Sequence, residues 1–136
     1  MKKLALFLLV VVFMAACAKG DFQDVKGVME EFLSAQENYI TGLEKVENAE
    51  DYAAVTDSFA ASIEVVGPKM KEMTEKYPEI FEEDNVPEAL KDVDERGRAL
   101  QERSMSIDQS KFAEYMSDEK VMAALQRMQS AFMSMM

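Results

Sequence analysis

The chain has 136 residues, with 26 acidic against 15 basic side chains, a formal net charge of −11, one cysteine and no histidine. That length supports one domain around one core, and the acidic balance repels nucleic acid and anionic headgroups. Without histidine the chain lacks the commonest general base, imidazole metal sites and every haem site that needs a histidine ligand.

Lys2 and Lys3 precede an unbroken apolar run over residues 4–16. A positive start followed by ~7–15 apolar residues is the pattern of a secretory signal peptide. Carried on through Ala18, the run would make a helix of about 22 Å against a hydrocarbon core of ~30 Å, short for a membrane span.

The run ends Met14-Ala15-Ala16-Cys17, which resembles the lipobox of bacterial lipoproteins, with Met14 where that family usually has an aliphatic residue. The resemblance implies cleavage between Ala16 and Cys17, a diacylglycerol on the Cys17 sulfur and acylation, as by palmitate, of the new amino group. Two or three acyl chains give stable anchoring. Ala16-Cys17-Ala18 also fits an A-x-A cleavage site, and cleavage after Ala18 would release a soluble exported protein. In enterobacterial lipoproteins an aspartate after the cysteine accompanies retention in the inner membrane; Ala18 implies the outer membrane, with the protein facing the periplasm. The expected organisation is a signal peptide over 1–16, a lipidated N-terminus and short tether over 17–21, and a helical domain over 22–136. Removal of Lys2 and Lys3 leaves thirteen basic against 26 acidic residues, a net charge of −13. With Cys17 acylated, no thiol remains for a disulfide, a thiolate–zinc site or thiol catalysis.

The first helix is predicted from about 21 to 47. Phe22, Val25, Met29, Phe32, Gln36, Tyr39, Leu43 and Val46 alternate at spacings of three and four, with Leu33 and Ile40 widening the stripe and Gln36 its one polar member. Asn48, followed by Glu50 and Asp51, caps a second helix. The short connection makes the two helices antiparallel neighbours. Tyr52, Val55, Phe59, Ile63, Val66, Met70, Met73 and Tyr77 form the second stripe, which continues across Gly67-Pro68 and predicts a kinked, uninterrupted helix.

Tyr77-Pro78 ends that helix, and residues 78–86 are predicted as the longest connection, with Ile80 and Phe81 folding back over the end of the bundle. Residues 71–95 carry ten acids against three lysines. Glu82-Glu83-Asp84 lacks the interleaved ligands and the turn glycine of a calcium loop, and reads as a solvated acidic loop. Pro87 suits the first turn of a third helix, extended to about 115 with a bend or a break near 106–110. Gly97 and Ser104 leave its apolar seam thin, which predicts either close approach of a neighbour or a groove. Ser117-Asp118-Glu119-Lys120 caps a fourth, shorter helix with Val121, Leu125, Met128, Phe132 and Met135 on its stripe.

No strand-like alternation occurs, so the fold class is all-α: an up-and-down four-helix bundle with a short fourth helix, or a long three-helix bundle with an extra C-terminal helix. EKVENAEDYAAV, residues 44–55, resembles the first inter-helix turn of periplasmic four-helix cytochromes of the b type. That likeness implies shared architecture and no haem. In overall pattern the chain also resembles small helical lipoproteins of many bacteria, which implies an anchor and a bundle.

Ten methionines follow Cys17, including Met70, Met73, Met133, Met135 and Met136. Thioethers select Cu(I), but most of these lie on apolar stripes, where methionine fills irregular gaps. Glu30/Glu31 and Glu82/Glu83 have no nucleophile or phosphate loop beside them, so no catalytic residue, metal site or cofactor is assigned. The leading expectation is a non-enzymatic, lipid-anchored envelope protein that binds an as yet unidentified envelope protein or serves as an accessory subunit. The alternative is a periplasmic carrier of a small ligand or of copper, with a pocket near Gly97, Ser104 and Pro68. A spacer or stress protein without a specific partner is the third class. Oligomeric state is not legible in the sequence.

Overall fold

In the computed structural model the backbone is described for residues 2–82 and 86–136, and side chains for residues 22–80 and 86–136. The readings at Lys2, Lys3, Ala16, Cys17, Phe81 and Glu82 therefore fall on side chains outside those described, and Glu83 and Asp84 lie outside the described residues altogether. Five α-helices follow one another: α1 (Lys2–Glu44), α2 (Ala49–Lys76), α3 (Pro78–Glu82), α4 (Lys91–Met105) and α5 (Glu119–Met133), with 3-10 helices at Glu88–Leu90 and Gln109–Ser117. No strand occurs among the described residues, and the all-α class stands.

The helix ends follow local chemistry. Asn48 Oδ1 accepts from the Asp51 amide at 2.9 Å, while Asp51 Oδ2 accepts from the Glu47 amide at 3.2 Å and from Asn48 Nδ2 at 3.1 Å. This reciprocal pair satisfies donors that the first turn leaves open. Asp118 does the same for α5, accepting from the amides of Lys120 and Val121. Pro68 lies on the exposed face of α2, which runs across it without interruption.

The sequence and the structure part company at three places. The first helix extends upstream of residue 21 and ends at Glu44, three residues earlier than predicted. Part of the predicted connection after Tyr77 is helical, as α3. The third helix breaks within the predicted 106–110 stretch, α4 stopping at Met105, but residues Gln109–Ser117 beyond the break wind as a 3-10 helix rather than as a continued α-helix. Ile107 and Phe112 are both buried. Five positions apart on one α-helix they would point about 140° away from each other, so the helix breaks to bring both into the core.

Cross-helix pairs fix the arrangement. Lys26 meets Asp92 at 2.7 Å, Glu37 meets Arg96 at 2.7 Å and Glu44 meets Arg103 at 2.6 Å, so α1 and α4 run parallel. Glu50 meets Lys120, Asp57 meets Arg127, and Gly67 lies against Met135, so α2 and α5 also run parallel. Glu31 with Lys69, and Gly42 against Val55, make α1 and α2 antiparallel. Directions alternate along the chain, as an up-and-down bundle requires. The spatial order, however, is α4, α1, α2, α5, and nowhere do the α4 and α5 backbones approach within 8 Å. The fourth side of the bundle is an open seam.

Because α1 lies between α2 and α4, its buried surface is broad. Leu33 and Ile40, which merely widen the predicted stripe, are among its most buried residues, whereas Phe32, Met29 and Tyr39 are half-buried flanks. Leu33 and Ile40 join Val93, Leu100, Phe112 and Val121 in the main core. On α5 the buried residues are Val121, Ala124 and Ala131, while Leu125, Met128 and Phe132 are half-buried. Buried Ala53, Ala60 and Gly67 recur every seven residues on α2. Small residues on both helices let their axes come close.

Candidate functional site

Along the open seam lies a cavity of about 360 Å³. Its floor is Tyr39 and Ile40 from α1, Phe59 from α2 and Leu100 from α4, and Phe132 of α5 forms the far wall. Gly97 and Ser104 of α4 line the near side, and Gln36 and Gln101 stand at its polar margin. The two sequence expectations for Gly97 and Ser104 are thus resolved in favour of a groove. A Cβ added at Gly97 would meet only Leu33 Cδ2, at an ordinary 3.6 Å, so no neighbour presses on that position. Gln36, the single polar member of the first helical stripe, faces this cavity. Pro68 does not line it.

Two sets of ion pairs flank the seam. The three ion pairs along α1 strap α4 to α1. Arg127 of α5 donates to both oxygens of Glu64, at 2.8 Å each, and to Asp57 at 2.8 Å, which straps α5 to α2. Each outer helix is therefore tied to its own inner helix and not to the other. The pairs are exposed, so each contributes modestly to stability, but a planar guanidinium between two carboxylates fixes orientation well. Hydrogen bonds from Arg103, Arg127 and Lys26 hold Glu44, Glu64 and Asp92 below the ordinary carboxylate range.

The floor is rigid and aromatic. The Tyr39 and Phe59 rings stack at 4.4 Å with 9° between planes, and Phe132 tilts at 59° against Phe59 at 5.9 Å. Burial pushes the Tyr39 phenol above its ordinary pKa. Beside it, the fully buried Thr56 hydroxyl has no hydrogen-bond partner that satisfies distance and angle among the described residues. No carboxylate, ammonium or guanidinium lines the cavity. Such a lining binds and orients; it holds no general acid or base suited to neutral pH and no activated nucleophile.

A larger, shallower depression of about 770 Å³ runs along the outer face of α1 and α2. Of its charged residues Glu31 pairs with Lys69 and Arg96 donates to Glu37 and to Ser34 Oγ, while Glu30 is exposed to solvent. We regard it as a solvated surface groove.

The methionines singled out for copper are dispersed. Met73 is 7% exposed, packed with Val25, Tyr77 and Leu90, and Met70 is half-buried. Met135 turns inward against Gly67, whereas Met133 and Met136 point into solvent. Among the described residues no three Asp or Glu side chains gather as a metal site, and no helix is long and apolar enough to cross a membrane. Sequence reasoning missed the convergence of Tyr39, Phe59 and Phe132. Each lies on a predicted stripe, but periodicity does not reveal that the three helices present them to one unfilled seam.

Compared with protein-family models, with curated proteins and with solved structures, the chain matches none.

Proposed function

We propose that the protein is a non-enzymatic lipoprotein of the cell envelope, anchored through acyl groups on Cys17 in the outer membrane, whose helical bundle faces the periplasm and binds or assists another envelope protein. The observation that carries this reading is the position of the chain's only cysteine, directly after two small residues at the end of the apolar run that follows Lys2 and Lys3. The charge of the remaining chain agrees with it: a surface this acidic meets an anionic membrane through lipid rather than through a basic face. The test is Cys17→Ser. Loss of acyl incorporation, with the protein shifting from the membrane to the soluble fraction, supports the reading. Unchanged membrane retention without acylation contradicts it.

A second reading, carriage of a small ligand, is favoured by one specific observation: the cavity beside Gly97 and Ser104. Its copper version, through Met70 and Met73, is tested by whether Cu(I) stays bound through gel filtration and is released by Met70→Leu with Met73→Leu. The burial of Met73 against Val25, Tyr77 and Leu90 favours a packing role for that residue.

A further inference from the structure

The seam cavity is apolar for so charged a molecule. Charged residues make up 30% of the chain, yet none lines this cavity, and its walls are three aromatic rings and two aliphatic side chains. Gln36, Gln101 and Ser104 supply the only polar groups besides the Tyr39 phenol. Their side chains make no hydrogen bond to the described protein, so amide donors and acceptors and a hydroxyl stay available at one margin. Gly97 has no side chain and that of Ser104 is small, which leaves space on the α4 side of the cavity.

We propose that this cavity binds a neutral aromatic molecule of about two rings that carries a carbonyl or hydroxyl group. The proposal rests on the carrier reading of the bundle and is independent of the anchor at Cys17. Size sets the first limit: a cavity of ~150 Å³ holds benzene, and this one, at about 360 Å³, is more than twice that. Small-molecule sites are mostly apolar with a few placed polar groups, and this lining fits that pattern. Charge sets the second limit. An ionised ligand would lose its hydration with no opposite charge in the walls to replace it. Ring geometry sets the third: the tilted Phe132 and the stacked Tyr39/Phe59 pair offer both an edge and a face to an inserted ring. The amides of Gln36 and Gln101 and the Ser104 hydroxyl then receive the ligand's carbonyl or hydroxyl.

Benzophenone is neutral, has two rings and a carbonyl, and inserts into nearby C–H bonds on illumination, so it serves as both ligand and reporter. The full-length protein in membranes is illuminated with increasing benzophenone and the adducts are mapped by mass spectrometry. The expected result is saturable labelling of peptides carrying residues 36–40, 97–104 or 132, displaced by excess 2-naphthol but not by naphthalene-2-sulfonate. Gly97→Leu, which projects a side chain into the cavity, should raise the half-saturating concentration at least tenfold, and Ser104→Leu should do the same. Gly27→Leu, placed where an added Cβ meets nothing within 4 Å, should leave labelling unchanged, and Cys17→Ser, labelled in the fraction that holds it, should still give saturable adducts on the same peptides. Circular dichroism of each variant verifies that the helices persist. Labelling that rises without saturation on exposed methionines such as Met105 and Met133 would overturn the proposal. So would saturable labelling that both Gly97→Leu and Ser104→Leu leave intact, or equal displacement by the sulfonate. Because Cys17→Ser tests the anchor in the same experiment, the two readings fail separately.

Discussion

The ring of Tyr39 lies flat on that of Phe59, 4.4 Å away, and this pair is the partition between two spaces. On one side is the seam cavity between α4 and α5; on the other is a hollow of about 270 Å³ on the α1–α2 face, also lined by both rings. Phe59→Ala removes the partition and a ring that is 6% exposed. Its expected cost is ~3–5 kcal/mol in urea unfolding, the usual range for a large-to-small change in a core. A cost below about 1 kcal/mol would mean that the ring is not packed as described.

Thr56 offers a test in the opposite direction. Its hydroxyl is fully buried without a partner among the described residues, although the Tyr39 phenol is close. Replacing an unsatisfied buried hydroxyl by an apolar group of like shape is neutral or stabilising, so Thr56→Val is expected to raise stability by about 1 kcal/mol. Destabilisation of that size would show that Thr56 does bond to the phenol in solution.

Two helical glycines should respond with opposite signs to the same change. At Gly42 an added Cβ would sit 2.7 and 3.0 Å from the two γ-carbons of Val55, a stiff β-branched side chain. The overpacking, ~1–3 kcal/mol, outweighs the helix propensity gained, so Gly42→Ala should lower the melting temperature. At Gly27 nothing lies within 4 Å, and Gly27→Ala should stabilise by ~0.5–1 kcal/mol. Equal responses at both positions would contradict the close approach of α1 and α2.

Stability should decline at both ends of the pH scale, for different reasons. Asp92, Glu44 and Glu64 are held below the ordinary carboxylate range by hydrogen bonds from Lys26, Arg103 and Arg127. Carboxylates with lowered folded pKa bind protons more readily when unfolded. Their contribution is therefore complete above about pH 5 and is lost as pH falls through the lowered folded values. Burial raises the phenols of Tyr39 and Tyr52, so their contribution is complete below about pH 9 and is lost as pH rises through the raised folded values. Melting temperature measured against pH checks both limbs. Arg127→Gln should make the acid limb shallower by the Glu64 contribution and leave the alkaline one; an unchanged acid limb would mean that solvent screens the Arg127–Glu64 pair completely.

How much of this was legible beforehand depended on which physical signal each feature carries. Helix identity and caps are local, and Asn48, Asp118 and the Tyr77-Pro78 stop all function as the sequence predicts. Adjacency is not local. The apolar spacings of α4 and α5 say that each buries a face but not which helix that face meets; in the structure the pairs of Arg103 with Glu44 and of Arg127 with Glu64 mark α1 and α2 as the respective neighbours. The broad burial of α1 follows from its position between two neighbours, which is why Leu33 and Ile40 exceed the expected importance of Phe32 and Met29. The 3-10 helix Gln109–Ser117 is too short to announce itself by periodicity; only the awkward spacing of Ile107 and Phe112 hinted at it. At the seam, Gly97, Ser104 and Gln36 were visible as departures from the apolar pattern, whereas the convergence of Tyr39, Phe59 and Phe132 required the assembled bundle.

The account turns most directly on the native mass of the protein extracted from its own membranes in mild detergent. It predicts a chain that begins at Cys17 and carries acyl groups, with any further mass identifying the bound protein or small molecule. A chain that begins at Lys19 without lipid would contradict the anchored reading and make this a soluble exported protein.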